Sequence, residues 1–265
     1  MPVSVVNGAE LHWERTGDGA RLLFCNGSGA TLAEAQPFVD ALAGAFDVLA
    51  WDYRGFGQSA PVTHPYAMAD IAADVVGLLE LVGWDTCQVV GVSFGGMVAQ
   101  ELAVTHPARV ERLGLVCTSA GGGGGASYPL QTLLELPAEE RVATRLKLVD
   151  GRWDDRWLAA HPADRAIADV LIARLAREQD PDGATAQRAQ LEARAGHDVW
   201  DRLHRVTCPT LIAYGHHDGI APPHNSEAIA SRIRGAELHG YEGGHMFLLQ
   251  DPAAVRDLVA FLGNR

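Results

Sequence analysis

The sequence has few cysteines, no long apolar segment and no excess of positive charge. Its four cysteines, Cys25, Cys87, Cys117 and Cys208, stand far apart, in or beside apolar segments, without the spacing of a metal site. We therefore expect buried, reduced thiols and a cytoplasmic protein. No apolar run reaches the length of a transmembrane helix, and the first eight residues resemble a strand rather than a leader peptide.

The charge balance bears on the partners of the protein, and the length bears on its domain organisation. A net charge of −12 argues against nucleic acid and anionic membranes as partners. An apolar content of 48% and a charged content of 20% are typical of a soluble globular protein. With 265 residues, the chain is long enough for one large domain or for a domain with one insertion.

Short apolar runs alternate with segments of helical periodicity in the first 120 residues. After an N-terminal hairpin, the predicted strands and helices are strand 21–25, helix 33–45, strand 46–51, helix 68–82, strand 87–90, helix 97–103 and strand 110–117. This order implies an α/β protein with a doubly wound, mostly parallel sheet. The pattern returns near the C-terminus with strand 209–215, helix 225–233, strand 236–241 and helix 252–262.

The stretch between these two parts has a different character. It opens with five consecutive glycines at 121–125, and from 129 to about 200 it is rich in Ala, Leu and Arg at helical spacing. We interpret residues 1–120 and 201–265 as the core, and residues 121–200 as a helical cap inserted after the sixth strand. The glycines predict a flexible hinge that holds no packed element.

A glycine-flanked serine lies at the junction of one predicted strand and helix. The segment Gly91-Val92-Ser93-Phe94-Gly95-Gly96 has the G-x-S-x-G pattern of a nucleophile elbow. A serine at the apex of such a turn is strained, and a Cβ two residues away on either side would clash with the strand and the helix. The alternative is a turn whose serine only caps the helix.

Two further residues follow predicted strands and complete the chemistry that a serine needs. A serine hydroxyl requires an imidazole base, and the imidazole requires a carboxylate to orient it. Asp218 follows the strand at 209–215, although it can also be read as a simple turn residue. Of the eleven histidines, only His245 lies in a glycine-flanked loop after the last predicted strand. The chain order Ser93, Asp218, His245 is that of the α/β-hydrolase triad.

An oxyanion also needs backbone N–H donors. We expect one from Phe94, directly after the nucleophile, and the second from Ser28, because Gly27 and Gly29 permit close approach of the backbone to substrate. The loop at 52–59 is interpreted as structural, with Asp52 and Arg54 paired to brace its turn.

Together these segments resemble the α/β-hydrolase fold along nearly the whole chain. The resemblance rests on the segments at 26–29, 52–59, 91–96, 215–218 and 244–245. Asn26 stands where the family usually has histidine, which is similar to the 3-oxoadipate enol-lactonase branch, whose members hydrolyse a small carboxylated lactone. The resemblance implies an eight-stranded sheet and a serine hydrolase of small esters or lactones that forms an acyl-enzyme on Ser93. It implies no cofactor and no metal, and it leaves a homodimer open.

Other chemistries of the fold fit the residues less well. Dehalogenases and epoxide hydrolases of this fold use an aspartate nucleophile, so Ser93 argues against both classes. C–C bond hydrolases of ring-cleavage products usually have a polar residue before the nucleophile and a tryptophan after the histidine, where this chain has Val92 and Met246. That class stays an alternative, as does a ligand receptor or signalling protein with slow turnover.

The cap determines the expected substrate. Seven cap arginines could hold a substrate carboxylate: Arg141, Arg145, Arg152, Arg156, Arg165, Arg174 and Arg177. We expect most to be solvated or paired with Glu139, Glu140, Asp154 or Asp155. The apolar stripes of the cap predict a mostly hydrophobic pocket with few polar groups. Neutral esters or lactones should then be hydrolysed at least as well as a carboxylated one.

Overall fold

A computed structural model of the chain describes residues 2–177 and 180–264. Residues 1 and 265, the outer limits of the predicted core, lie outside the described residues. The centre of the fold is one eight-stranded sheet. Its strands are β1 (Val3–Val6), β2 (Ala9–Thr16), β3 (Ala20–Cys25), β4 (Phe46–Trp51), β5 (Cys87–Val92), β6 (Val110–Val116), β7 (Thr210–Gly215) and β8 (Glu237–Tyr241).

The strands lie in the order β1-β2-β4-β3-β5-β6-β7-β8. The pairs β1–β2 and β2–β4 are antiparallel, and every pair from β4 to β8 is parallel. This confirms the predicted doubly wound, mostly parallel sheet. Because the parallel strands share a direction, their carboxyl ends meet at one edge, which is where ligands bind in such sheets. The register pairs Cys25 of β3 with Gly91 of β5, so the loop after β3 lies beside the predicted elbow.

Helices cover both faces of the sheet and bury two apolar clusters against it. One face carries α2 (Met68–Leu81), α3 (Phe94–Thr105) and α8 (Pro223–Arg232). The other carries α1 (Leu32–Ala43), α9 (Phe247–Gln250) and α10 (Pro252–Gly263). Strands β3 to β6 are nearly all apolar because both of their faces are buried in this way. Within the described residues, no helix is both long and apolar enough to cross a bilayer.

The chain between β6 and β7 is helical. It contains α4 (Ala138–Val149), α5 (Asp155–Ala160), α6 (Pro162–Leu175) and α7 (Pro181–Ala195), and its described residues, 117–177 and 180–209, include no strand. A third apolar cluster is formed mostly by this segment, including Leu130, Leu133 and Trp153, and it also contains Ile220, which follows β7. This helical segment is called the cap below.

The glycine run at 121–125 is a packed turn. Gly122–Gly124 form a short 3-10 helix, and the N–H of Gly121 donates to the carbonyl of Gly125 at 3.2 Å. A Cβ added at Gly122 would meet the carboxylate of Asp198, and one at Gly124 would meet the indole of Trp200. The prediction that the run holds no packed element is therefore wrong. Glycine is required there because its missing side chain lets these neighbours approach.

The predicted pair between Asp52 and Arg54 does not form. Asp52 is 2% exposed; its Oδ2 lies 2.7 Å from Nδ1 of His12, and its Oδ1 accepts from the N–H of Leu32 at 2.6 Å. Arg54 instead makes a bidentate pair with Asp74 of α2, at 2.6 and 2.7 Å. The two side chains separate because Asp52 points into the core, whereas Arg54 reaches across to the neighbouring helix.

Candidate active site

Ser93 stands at the sharp turn between β5 and α3. Its backbone has φ 55° and ψ −112°, in a region that residues with a side chain rarely adopt. A Cβ at Gly91 would overlap the carbonyl oxygen of Gly95, and a Cβ at Gly95 would overlap the carbonyl oxygen of Cys25 at the end of β3. The strain at Ser93 thus depends on the two glycines that the pattern singled out, because they allow the helix to start against the strands.

The sheet brings the three predicted triad residues together at its carboxyl edge. Asp218 lies just beyond β7 and His245 just beyond β8. Nε2 of His245 is 2.9 Å from Oγ of Ser93, and Nδ1 of His245 is 2.7 Å from Oδ2 of Asp218. These distances form a continuous chain of hydrogen bonds from the serine to the carboxylate.

Backbone groups hold the acid and the base of this chain in place. Oδ1 of Asp218 accepts from the N–H groups of Ile220 and Ala221, at 2.7 and 2.9 Å, so the carboxylate cannot rotate freely. The N–H of His245 donates to the carbonyl of Val149 in the cap, at 2.6 Å. With Oδ2 of Asp218 available as acceptor, Nδ1 carries the imidazole proton and Nε2 is left to accept a proton from Ser93.

The loop after β3 offers one free backbone donor to the site. The N–H of Gly27 donates to Oδ1 of Asn26 at 2.8 Å, and the N–H of Gly29 donates to Oε1 of Gln190 at 2.7 Å. The N–H groups of Ser28 and Phe94 have no acceptor among residues 2–177 and 180–264. Both predicted N–H donors are thus free to bind an oxyanion. Because the side chain of Asn26 accepts from the N–H of Gly27, Ser28 rather than Gly27 offers the free donor of this loop.

A buried thiol lies beside the acid. Possible ligand atoms of Cys117, Asp218 and His245 lie within 4.8 Å of one another, the one such group of metal-ligating types in the described part of the chain. Burial, followed by the nearby charge of Asp218, raises the pKa of the Cys117 thiol well above its ordinary value. Asp218 and His245 are hydrogen-bonded to each other, so the arrangement is suited to proton transfer rather than to holding a cation.

A cavity of about 520 Å³ opens beside the loop after β3 and runs between the cap helices. Its walls include Ser28 and Gly29, six leucines and four arginines: Leu130, Leu133, Leu134, Leu171, Leu175, Leu191, Arg141, Arg145, Arg174 and Arg177. The expectation of a mostly hydrophobic pocket with few polar groups is therefore only partly right. The helices that carry its apolar stripes also turn guanidinium groups toward the same space.

The cap arginines also differ from the expected pairing. Those with partners bind Asp150, Asp169, Glu34 and Glu242, not the four carboxylates proposed from sequence. Arg145 and a residue that sequence reasoning missed, Arg194, have no carboxylate within 4.0 Å in the described residues. Nothing in the sequence distinguishes them from their neighbours, because helical spacing alone does not reveal which cap face is buried against the core.

The fold and the site together define a class of protein. Residues 20–252 match the family model described as the alpha/beta hydrolase fold. The chain therefore belongs to the α/β-hydrolase fold family of enzymes.

Individual relatives show which members of this family the chain is similar to. The chain is 32% identical to a protein of Variovorax paradoxus (strain S110) named as a carbamate hydrolase, RutD, with 96% of each chain covered. It is 29% identical to the poly(3-hydroxyalkanoate) depolymerase of Ectopseudomonas oleovorans, over 90% of this chain and 82% of the relative. Among solved structures, the enol-lactonase from Burkholderia xenovorans LB400 matches 99% of this chain and 100% of its own, at 25% identity and a TM-score of 0.81. The resemblance to the enol-lactonase branch is thereby confirmed.

Proposed function

We propose that this protein is a serine hydrolase that cleaves a small carboxylic ester or lactone through an acyl-enzyme on Ser93. The observation that carries the proposal is the chain of hydrogen bonds from Ser93 through His245 to Asp218, at 2.9 and 2.7 Å. The free N–H groups of Ser28 and Phe94 add the oxyanion donors that acyl transfer requires.

The proposed reaction follows from this geometry. Oγ of Ser93 attacks the carbonyl carbon while its proton passes to Nε2 of His245, and Asp218 stabilises the imidazolium that forms. The N–H groups of Ser28 and Phe94 bind the oxyanion. When the tetrahedral intermediate collapses, the C–O bond to the alkoxide breaks and His245 returns the proton to it. The alcohol of an ester then leaves, whereas the hydroxyl formed from a lactone stays attached to the acyl group. Water, deprotonated by His245, then attacks the acyl-enzyme, and the second collapse releases the acid and restores Ser93.

The relatives support this reaction class without identifying a substrate. The depolymerase and the enol-lactonase bear the names of enzymes that open an ester or a lactone. The relative named as a carbamate hydrolase suggests attack on a carbonyl carbon too. The four cysteines are free thiols, three of them buried, in keeping with a cytoplasmic location as part of the same proposal.

The test is turnover of 4-nitrophenyl butyrate, together with labelling by a fluorophosphonate probe. We expect many turnovers per enzyme, a label on Ser93 by peptide mass analysis, and a loss of kcat of roughly 10⁴-fold or more in Ser93→Ala. Ser119→Ala is the matched control, because the hydroxyl that it removes bonds, in the described residues, only to that of Ser127, at 2.8 Å. Labelling elsewhere would refute the assignment, and stoichiometric binding without turnover would favour the receptor alternative.

A further inference from the structure

One buried face of α7 carries two polar side chains that reach segments of the candidate active site. Oε1 of Gln190 accepts from the N–H of Gly29, in the loop after β3, at 2.7 Å. One turn further along the helix, Nη1 of Arg194 donates to the carbonyl of Tyr128 at 2.8 Å. Because residues four apart lie on the same side of a helix, α7 contacts two different segments from this one face.

The contact of Arg194 leads to the acid of the triad. The N–H of Tyr128 donates to the carbonyl of Ile220 at 2.7 Å, and the N–H of Ile220 donates to Oδ1 of Asp218, also at 2.7 Å. The other carboxylate oxygen of Asp218 is the one that bonds to Nδ1 of His245. Three hydrogen bonds, connected through the backbone of Tyr128 and Ile220, therefore join the guanidinium of Arg194 to the carboxylate that orients the base.

The charge of Arg194 is buried without an ion-pair partner in the described residues. The side chain is 5% exposed, its Nε and Nη2 have no hydrogen-bond partner in the described part of the chain, and the described residues that line the cavity do not include it. Burial lowers the pKa of Arg194 to about 10, and the negative charge of Asp218 opposes this lowering. The guanidinium is therefore charged at neutral pH, and the acid of the triad stabilises that charge from beyond ion-pair distance.

We propose that Arg194 is a positioning residue for Asp218. Its guanidinium anchors the carbonyl of Tyr128, the backbone of Tyr128 anchors Ile220, and the N–H of Ile220 fixes the rotation of the carboxylate. The inference rests on the proposed function, because the orientation of Asp218 affects turnover only where His245 acts as the base. Arginine suits this place better than a neutral amide, because its positive charge attracts the carboxylate in addition to holding the backbone.

The first test is a double-mutant cycle on kcat for 4-nitrophenyl butyrate. Arg194→Met keeps an apolar stem and removes both the donor and the charge. We expect Arg194→Met to lower kcat about tenfold or more, but less than about twofold when the same change is made in Asp218→Asn. The second effect is small because Asp218→Asn has already removed the carboxylate through which Arg194 acts.

Three further variants separate this role from a general effect on the cap. Arg194→Lys keeps the charge and a donor, and it should retain at least about one third of the wild-type kcat. Arg188→Gln is the control for a surface change, because Arg188 is exposed on the same helix. Gln190→Met is the control for a buried change, because it releases Gly29 rather than Tyr128. It should lower kcat by the same factor in the wild type and in Asp218→Asn.

The second test observes the bond between His245 and Asp218 without turnover. The short bond to a carboxylate strongly deshields the proton on Nδ1 of His245, so its NMR signal stands apart far downfield. We expect this signal in Ser93→Ala. Adding Arg194→Met should broaden it beyond detection, because a carboxylate that rotates exposes the proton to exchange with water. Adding Arg194→Lys or Gln190→Met should leave it in place.

Several outcomes would overturn the inference. An equal fall of kcat in the wild type and in Asp218→Asn would show that Arg194 only supports the fold. An Arg194→Lys enzyme as slow as Arg194→Met would show that the charge and its donor have no part in positioning the acid. If Arg194→Met does not fold, as judged by circular dichroism, Arg194→Gln takes its place in the cycle, with an expected fall of at least about threefold.

The two tests also distinguish this inference from the proposed function. A protein that turns over no ester, but whose downfield signal is lost in Arg194→Met, would contradict the proposed function and leave the positioning role intact. Turnover of the ester by an Arg194→Met enzyme with unchanged kcat and an unchanged signal would do the reverse.

Discussion

Two glycines of the predicted site differ in the atoms that an added side chain would contact. At Gly95, an added Cβ would overlap the carbonyl oxygen of Cys25 and press on that of Asn26. At Gly27, the nearest atom to an added Cβ would be the carbonyl oxygen of Val92, 3.8 Å away, an ordinary contact. The sequence singles out Gly95 because a Cβ there would clash with the strand and the helix, and Gly27 because it lets the backbone approach substrate. Of these two glycines, only Gly95 is closely confined by neighbouring backbone.

We therefore predict different effects for two matched substitutions. Gly95→Ala should cost about 3 kcal/mol in the free energy of unfolding and lower kcat by more than tenfold, because the clash displaces the oxyanion loop. Gly27→Ala should change the free energy of unfolding by less than about 1 kcal/mol. Urea unfolding and ester kinetics of both variants check this. A destabilisation of equal size at the two positions would contradict the contact geometry.

The residues of the site differ in how far the sequence predicts them. Ser93 and Asp218 were predicted because each follows a strand whose apolar run is easy to read, and parallel strands end at one edge. His245 was predicted because it lies in a glycine-flanked loop after the last predicted strand. Arg145 and Arg194 were not singled out from sequence, because what distinguishes them is that no carboxylate of the described residues pairs with them in the fold. No pattern along the chain reveals which of many arginines lacks a carboxylate.

At the scale of the elements, the packing of the glycine run at 121–125 should be visible in the exchange rates of its backbone amides. The N–H groups of Gly121, Gly124 and Gly125 donate to carbonyls within the turn, whereas those of Gly122 and Gly123 lie at exposed positions. We predict that amide exchange, followed by NMR, is at least about tenfold slower for the first three than for the other two. Fast exchange at all five would restore the flexible hinge predicted from sequence.

The chain just after α7 contains a buried histidine, His197, 5% exposed. Burial, followed by the charge of Arg202, lowers its pKa from 6.5 to about 4. The unfolded chain therefore binds this proton at a higher pH than the folded protein does. Stability is lost as the pH falls from about 6.5 toward 4, and the loss from this group between pH 7 and pH 5 is about 2 kcal/mol.

Replacing this histidine should remove that part of the pH dependence. We predict that the free energy of unfolding of His197→Met, measured in urea, falls by about 2 kcal/mol less than that of the wild type between pH 7 and pH 5. His64→Met is the control, because His64 is exposed. If His197→Met and the wild type lose the same free energy of unfolding between pH 7 and pH 5, His197 is not the cause of this pH dependence.

The elements themselves were largely predictable from sequence, and the exceptions have physical causes. The strand at 46–51 was predicted with its observed limits because both of its faces are buried and its apolar run has sharp ends. Helix α3 begins three residues before the predicted start, since Gly95 and Gly96 resemble a turn although they continue the helix. The short helix α9 was missed because its four residues, Phe247–Gln250, are too few to show the helical spacing of apolar side chains.

At the scale of the whole molecule, the cap helps to hold the loops of Asp218 and His245 in place. The carbonyl of Leu148, near the end of α4, accepts from the N–H of Gly219 at 2.9 Å, next to Asp218. The following carbonyl, of Val149, accepts from the N–H of His245 at 2.6 Å. Since the last turn of one cap helix contacts both the acid loop and the base loop, the cap contributes to the geometry of the site as well as to its walls.

One side chain links the cap to the histidine loop from the other side. Gln250 donates through Nε2 to Asp150 and Asp164 of the cap, at 2.9 and 3.0 Å, and accepts through Oε1 from the N–H of Gly244 at 2.9 Å. Gly244 immediately precedes His245. The amide of Gln250 therefore joins two cap carboxylates to the backbone that positions the base.

We predict that Gln250→Leu weakens stability and catalysis together. It leaves the N–H of Gly244 without its acceptor, and it removes one donor each from Asp150 and Asp164, which keep their bonds from Arg152 and Trp157. The change should cost about 2 kcal/mol in the free energy of unfolding. The histidine loop then loses one restraint, so kcat should fall about tenfold while fluorophosphonate labelling of Ser93 slows in proportion. Gln36→Leu is the matched control, because in the described part of the chain the side-chain amide of Gln36 bonds only to Asp40, on the exposed face of α1. A Gln250→Leu enzyme with reduced stability but unchanged kcat would show that the cap supports the fold without positioning His245.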